Sequence, residues 1–151
     1  MDHMITADTE KRRRWMAVLA RAAADEIAGL LATLPPLPAH ERLRAPETGL
    51  VMVRGRAGGD GAPFNLGEMT VTRCAVRLGD AVGHGYVAGR DKRQAELAAL
   101  LDAALQDPAR RDALMEGVIA PLATRQQAAR DAEARKAAAT RVDFFAMQTT
   151  R

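Results

Sequence analysis

The chain has 151 residues, a formal net charge of +3 and 48% hydrophobic residues, yet only three Phe, one Tyr and one Trp. That length suits one domain with an appended arm and buries about 70% of the surface its unfolded form exposes. So few aromatics imply an aliphatic, alanine-rich core. The modest charge, without interleaved basic and aromatic residues, argues against nucleic acid, and no apolar run approaches the roughly 18 residues of a membrane span.

The single cysteine, Cys74, cannot form a disulfide within the chain and fits a reducing cytoplasm. The first twenty residues, MDHMITADTEKRRRWMAVLA, carry charges but no long apolar stretch, so they are not expected to be a secretory signal. The basic residues are 19 Arg and only 3 Lys. Arginine makes bidentate contacts to carboxylates and phosphates, so an acidic partner or a phosphorylated small molecule suits this surface.

In chain order, Thr9 opens a helical pattern in which Trp15, Val18, Leu19 and Ala22 share one face. A second helix starts at Asp25 (DEIAGLLATL) and ends at Pro35-Pro36, with residues 37–40 as a connector. GLVMVRGRA, residues 49–57, reads as a strand with Arg54 and Arg56 on one face. EMTVTRCAVRL, residues 68–78, alternates: Thr70, Thr72, Cys74, Val76 and Leu78 on one face, Met69, Val71, Arg73, Ala75 and Arg77 on the other. A glycine-rich loop joins the two. GDAVGHG then reads as a hairpin turn into the strand GYVAG. Strands without helical crossovers predict an antiparallel sheet.

Asp91 is placed to cap the next helix, with Gln94 three residues on. That helix runs through Leu97, Ala98, Leu101 and Leu105 to about Gln106. Pro108 can begin a short helix, and Pro121 can occupy the first turn of the last one. The last segment, PLATRQQAARDAEARKAAAT, is strongly helix-forming with little apolar face, so it reads as an arm. The expected fold is α+β: N-terminal helices, an antiparallel sheet of about four strands, then helices. The expected division is a core over residues 1–120 and an arm with an apolar docking tail over 121–151. In that tail Val142, Phe144, Phe145 and Met147 are candidate partner contacts, because such an arm buries little of its own apolar surface.

GRAGGDG lacks the Gly-Lys-Ser/Thr ending of a phosphate loop and is followed by a strand, so a flexible hairpin loop accounts for it. His3, His40, His84 and Cys74 show no metal-ligand spacing, and Glu47, Glu68 and Asp91 are dispersed. The arginines are more informative. If the two longer strands pair, Arg54, Arg56, Arg73 and Arg77 give one sheet face a cationic cluster; the alternative is a solvated edge. Arg90, Lys92 and Arg93 stand at a helix N-terminus, which already carries partial positive charge, so they are candidates for docking an anion or an acidic partner.

The blocks RRRWMAVLARA, APETGLVMVRGRAGG, FNLGEMTVTRCAVRL, GYVAGRDKRQAELAALLDA and TRVDFFAM, in that order, resemble the PhnG family of the bacterial carbon–phosphorus lyase system. The resemblance covers nearly the whole chain; residues 34–44 and the stretch between 104 and 120 vary. It implies a cytoplasmic complex with subunits of the PhnH, PhnI and PhnJ types and a functional link to PhnL. With PhnI, PhnH and PhnL, a member of the family takes part in forming ribose 1-alkylphosphonate 5-triphosphate from ATP and a phosphonate, with release of adenine. The family places the nucleosidase chemistry in PhnI and the radical iron–sulfur chemistry in PhnJ. It assigns this chain no catalytic residue, which agrees with the absence of a nucleophile, metal-ligand spacing or cluster motif in the sequence, and no cofactor is expected. Two expectations remain: a non-catalytic subunit of the transferase complex (α-D-ribose 1-methylphosphonate 5-triphosphate synthase), or a phosphate- or phosphonate-binding protein acting through its arginines.

Overall fold

The computed structural model describes residues 2–58 and 60–142. Two helices, α1 (Asp2–Leu19) and α2 (Ala24–Leu31), precede three strands, β1 (Glu41–Gly55), β2 (Phe64–Leu78) and β3 (Ala81–Ala88). Then come α3 (Lys92–Leu105), α4 (Pro108–Leu114), a π-helical turn (Met115–Ile119) and α5 (Ala120–Ala139). The strands form one antiparallel sheet in the order β1-β2-β3. The α+β class is as expected, with three strands rather than about four. No helix among the described residues is long and apolar enough to cross a membrane.

The elements extend further than local signals indicate. α1 begins at Asp2, ahead of Thr9. β1 begins at Glu41, because residues that look like polar linker pair with β2 along the sheet edge. Pro46 fits there, since an edge strand has backbone positions that need no donor. The hairpin turn is short: Leu78 already pairs with Ala81, and Gly79 adopts φ 59°. GDAVGHG is therefore mostly strand.

Gly83 and Gly85 serve a packing purpose within β3. A Cβ on Gly83 would overlap the carbonyl oxygen of Ala99, and one on Gly85 that of Ala95. Their bare backbone lets α3 lie directly on the strand, with Ala95, Ala99 and Ala103 buried beneath it. Close approach of small residues replaces the bulk that aromatics supply elsewhere. The even positions of β2, Thr72, Cys74, Val76 and Leu78, are buried in the sheet face that carries the helices.

Trp15, Leu19 and Ala22 complete the core with Ile27, Leu101, Leu105, Leu114, Val118 and Leu122. The expected arm is thus tied down where it starts: Leu122 is buried, and the Gln126 amide donates to the Val18 carbonyl across 2.8 Å. From residue 127 to 142 every residue but Ala132 is exposed.

Candidate functional site

The cations at the start of α3 separate into two kinds. Asp91 is the N-cap, its carboxylate accepting from the Gln94 backbone N–H at 2.9 Å. Arg93 reaches Asp25 of α2, with Nη1 2.5 Å from Oδ1. Arg90 and Lys92 are exposed and have no ion pair among the described residues.

The four-arginine cluster does not form. Arg73 pairs with Glu47 and lies opposite it in the β1–β2 ladder, whereas Arg54 lies opposite Asn65 near the far end of the same hairpin. The antiparallel register runs β1 and β2 past each other, which sends the two arginine pairs to opposite ends of the ribbon. Arg77 pairs with Glu41 at 3.5 Å, while Arg54 and Arg56 stay exposed.

A different pair converges instead. Glu47 Oε1 receives Arg44 Nη1 at 2.5 Å and Arg73 Nε at 2.6 Å. Those two guanidiniums, Arg44 first, hold the Glu47 carboxyl below the usual carboxylate range. Tyr86 lies opposite Arg73 on β3 and is half exposed. Open clefts of about 280 and 440 Å³ flank the pair and share Arg73 and Tyr86. Two cations around one carboxylate leave a net positive charge able to attract an acidic group.

The most constrained polar group is one that sequence reasoning missed. Asp102 on α3 is fully buried. Its carboxylate accepts from Arg12 Nε (3.1 Å) and Nη2 (2.8 Å), Trp15 Nε1 (2.9 Å) and the His84 backbone N–H (2.9 Å). Four donors match the roughly four acceptor sites of a carboxylate, so no acceptor capacity is left for a substrate. The Asp102 hydrogen bonds also raise the Arg12 pKa above its ordinary value. Asp102 is thus a clip joining α1, β3 and α3. A sequence signal existed: an acid inside ALLDAAL must find partners if that helix is buried. The Arg111 guanidinium stacks over Trp15, 5.9 Å from the ring centre, beside an open cleft of about 360 Å³.

A second cluster pins β1 to α3. Glu96 accepts from Arg42 Nε (2.7 Å) and Nη2 (2.9 Å) and lies 3.1 Å from His40 Nε2. Arg42, followed by His40 at smaller effect, holds the Glu96 carboxyl below its ordinary value against a desolvation that acts the other way. Nearby Cys74 is buried and its thiol, donating to the Arg44 carbonyl, is pushed up in pKa by that burial. No group of three or more His, Cys, Asp or Glu among the described residues could hold a metal.

The largest anomaly is apolar. β3 pairs with β2 only from Val71 to Leu78, but β1 and β2 continue together to Gly55 and Phe64. Residues 50–55 and 64–70 therefore project as a two-stranded ribbon. It displays Leu50 (63% exposed), Met52 (54%), Phe64 (45%), Leu66 (60%) and Met69 (40%). Leu50 and Met52 lie on one face of the ribbon and Met69, opposite Val51, on the other. A projecting segment that is apolar on both faces marks an interaction surface, where a single exposed residue would not. Of the tail candidates, Val142 is exposed; Phe144, Phe145 and Met147 lie outside the described residues.

Residues 10–149 match the family model described as phosphonate metabolism protein PhnG. A relative from Rhizobium meliloti (strain 1021) is 46% identical over 151 residues, covering 97% of this chain and 96% of its own length. That relative is named as the PhnG subunit of α-D-ribose 1-methylphosphonate 5-triphosphate synthase.

Proposed function

Because the chain belongs to the PhnG family, we propose that it is a subunit of α-D-ribose 1-methylphosphonate 5-triphosphate synthase and serves phosphonate catabolism by assembling that complex. In this reading it works in the cytoplasm with PhnI-, PhnH- and PhnJ-type chains, and the complex converts ATP and an alkylphosphonate with release of adenine. The observation that carries the assembly role is the projecting ribbon, whose Leu50, Met52, Phe64, Leu66 and Met69 are too exposed for a chain that works alone. Arg90 and Lys92, exposed at the start of α3, and the tail residues Val142, Phe144, Phe145 and Met147 are further contacts with partner chains.

The chemistry then resides in the partners. Asp102, the one fully buried carboxylate among the described residues, is occupied by structural donors. The test is co-expression with the other synthase chains, followed by affinity purification and an assay of adenine released from ATP and methylphosphonate. The complex should form and turn over, and should lose both properties when this chain is omitted. Adenine release by the purified chain alone, or full activity without it, refutes the reading.

A further inference from the structure

The ribbon exposes a strand edge as well as side chains. β3 stops at Ala88 opposite Val71, and the chain leaves the sheet at Gly89, which adopts φ 91°. Two bonds fix that exit: the Gly89 N–H donates to the Thr70 carbonyl (2.9 Å) and Thr72 Oγ1 donates to the Gly89 carbonyl (2.8 Å). Beyond Thr70, residues 64–69 have β1 on one side and no strand on the other among the described residues.

The direction of each backbone group follows. The Thr70 carbonyl points to the β3 side. Backbone groups along a strand alternate between its two edges, so the N–H and C=O of Glu68 also point to that open side, while those of Met69 point to β1. Two-stranded ribbons are at best marginally stable in water, and an apolar one with an unpaired edge is a template for another strand. The outer edge of β1 is interrupted by Pro46 and two register shifts between Arg42 and Glu47, whereas the β2 edge carries one, the extra Leu66 between the Val53–Gly67 and Arg54–Asn65 pairs, beyond the outward Glu68.

We infer that the open edge of residues 64–70 receives one extended segment of another synthase subunit, which adds as a strand in line with β3. The inference rests on the assembly role proposed above and specifies its geometry. Charge selects a partner over a second copy. Glu68 has no ion pair among the described residues. An antiparallel self-pairing centred on this edge would set two Glu68 carboxylates at neighbouring positions, and like charges across strands repel. The incoming segment is therefore apolar, with a Lys or Arg placed to meet Glu68. Backbone hydrogen bonds supply its affinity and the Phe64 and Leu66 side chains its specificity.

The test uses the full chain, alone and in the purified complex, with hydrogen exchange read on peptides spanning 64–70. Assembly should slow exchange of the Glu68 amide about 100-fold, because an outward amide in a two-stranded ribbon is otherwise open to solvent. Glu68→Pro removes one outward donor and leaves the β1 ladder intact. It should weaken partner capture about tenfold with the lone chain's Tm unchanged, and Glu68→Lys should weaken it too. If Glu68→Pro disturbs the ribbon itself, the exchange result on the unaltered chain decides. A complex that assembles while residues 64–70 exchange as in the free chain overturns the strand and spares the assembly role. Failure of any complex to form refutes both. A lone-chain dimer that Glu68→Pro splits replaces the partner with a second copy and also overturns the inference.

Discussion

The indole Nε1 of Trp15 donates to Oδ1 of Asp102 across 2.9 Å, joining residues 87 positions apart. Arg12, one turn before Trp15, grips both oxygens of the same carboxylate. Asp102→Ala leaves the Trp15 N–H and the His84 N–H without an acceptor inside the core. Breaking a buried charged network by removing one partner typically costs 3–5 kcal/mol. Arg12 is about one-third exposed and can turn to water, so a loss of about 3 kcal/mol is expected, measured by urea unfolding. A loss below about 1 kcal/mol would show that the clip is incidental.

Gly85→Ala should be severe for its size. The new methyl collides with the Ala95 carbonyl, a backbone atom that moves only if α3 moves. Overpacking of this kind costs about 1–3 kcal/mol. Gly49→Ala is the control, since nothing lies within 4 Å of its would-be Cβ and its φ is not positive. The prediction is a drop in Tm for the first substitution and none for the second; equal effects contradict it.

Asp91→Ala removes the α3 cap and should lower stability by about 1 kcal/mol. Arg93→Ala removes only an exposed pair with Asp25 and should stay within about 0.5 kcal/mol. Thermal unfolding of the two variants side by side separates capping from surface charge.

Acid sensitivity should trace in part to Glu96. Its folded-state carboxyl is held below the ordinary value, by Arg42 first. A depressed carboxyl stabilises the fold above its unfolded pKa, near 4.3, and that stabilisation fades as pH falls through the lower folded value. Glu96→Gln should therefore be less stable than the parent at pH 6 and converge on it towards pH 3. Parallel stability curves across that range would exclude the mechanism.

The legible parts of this fold were those with local causes. The Asp91 cap, the face shared by Trp15, Leu19 and Ala22, and the Thr72-Cys74-Val76-Leu78 face all depend on periodicity or on a residue three positions away. The illegible parts were pairings between distant segments. Residues 41–48 became strand because of what lies beside them in β2, and the glycines of GDAVGHG look like a turn until α3 is laid on them. The arginine cluster failed for the same reason, since register decides which arginines meet. Asp102 was hidden because its donors come from Arg12, Trp15 and His84, none of them near it in the chain.

The π-helical turn has a consequence for the direction of α5. Leu114, Val118 and Leu122 are all buried at four-residue spacing. An unbroken α-helix turns about 100° per residue, so two such steps leave Leu122 about 80° out of line with Leu114. The wider turn over Met115–Ile119, closed by the Ala120 N–H on the Met115 carbonyl, takes up much of that angle. One surplus residue thus acts as an azimuthal setting for everything after it. It presents the flank bearing Arg125 and Gln126 to Glu26 and Val18, and it fixes the bearing on which the exposed end of the helix leaves the body of the molecule.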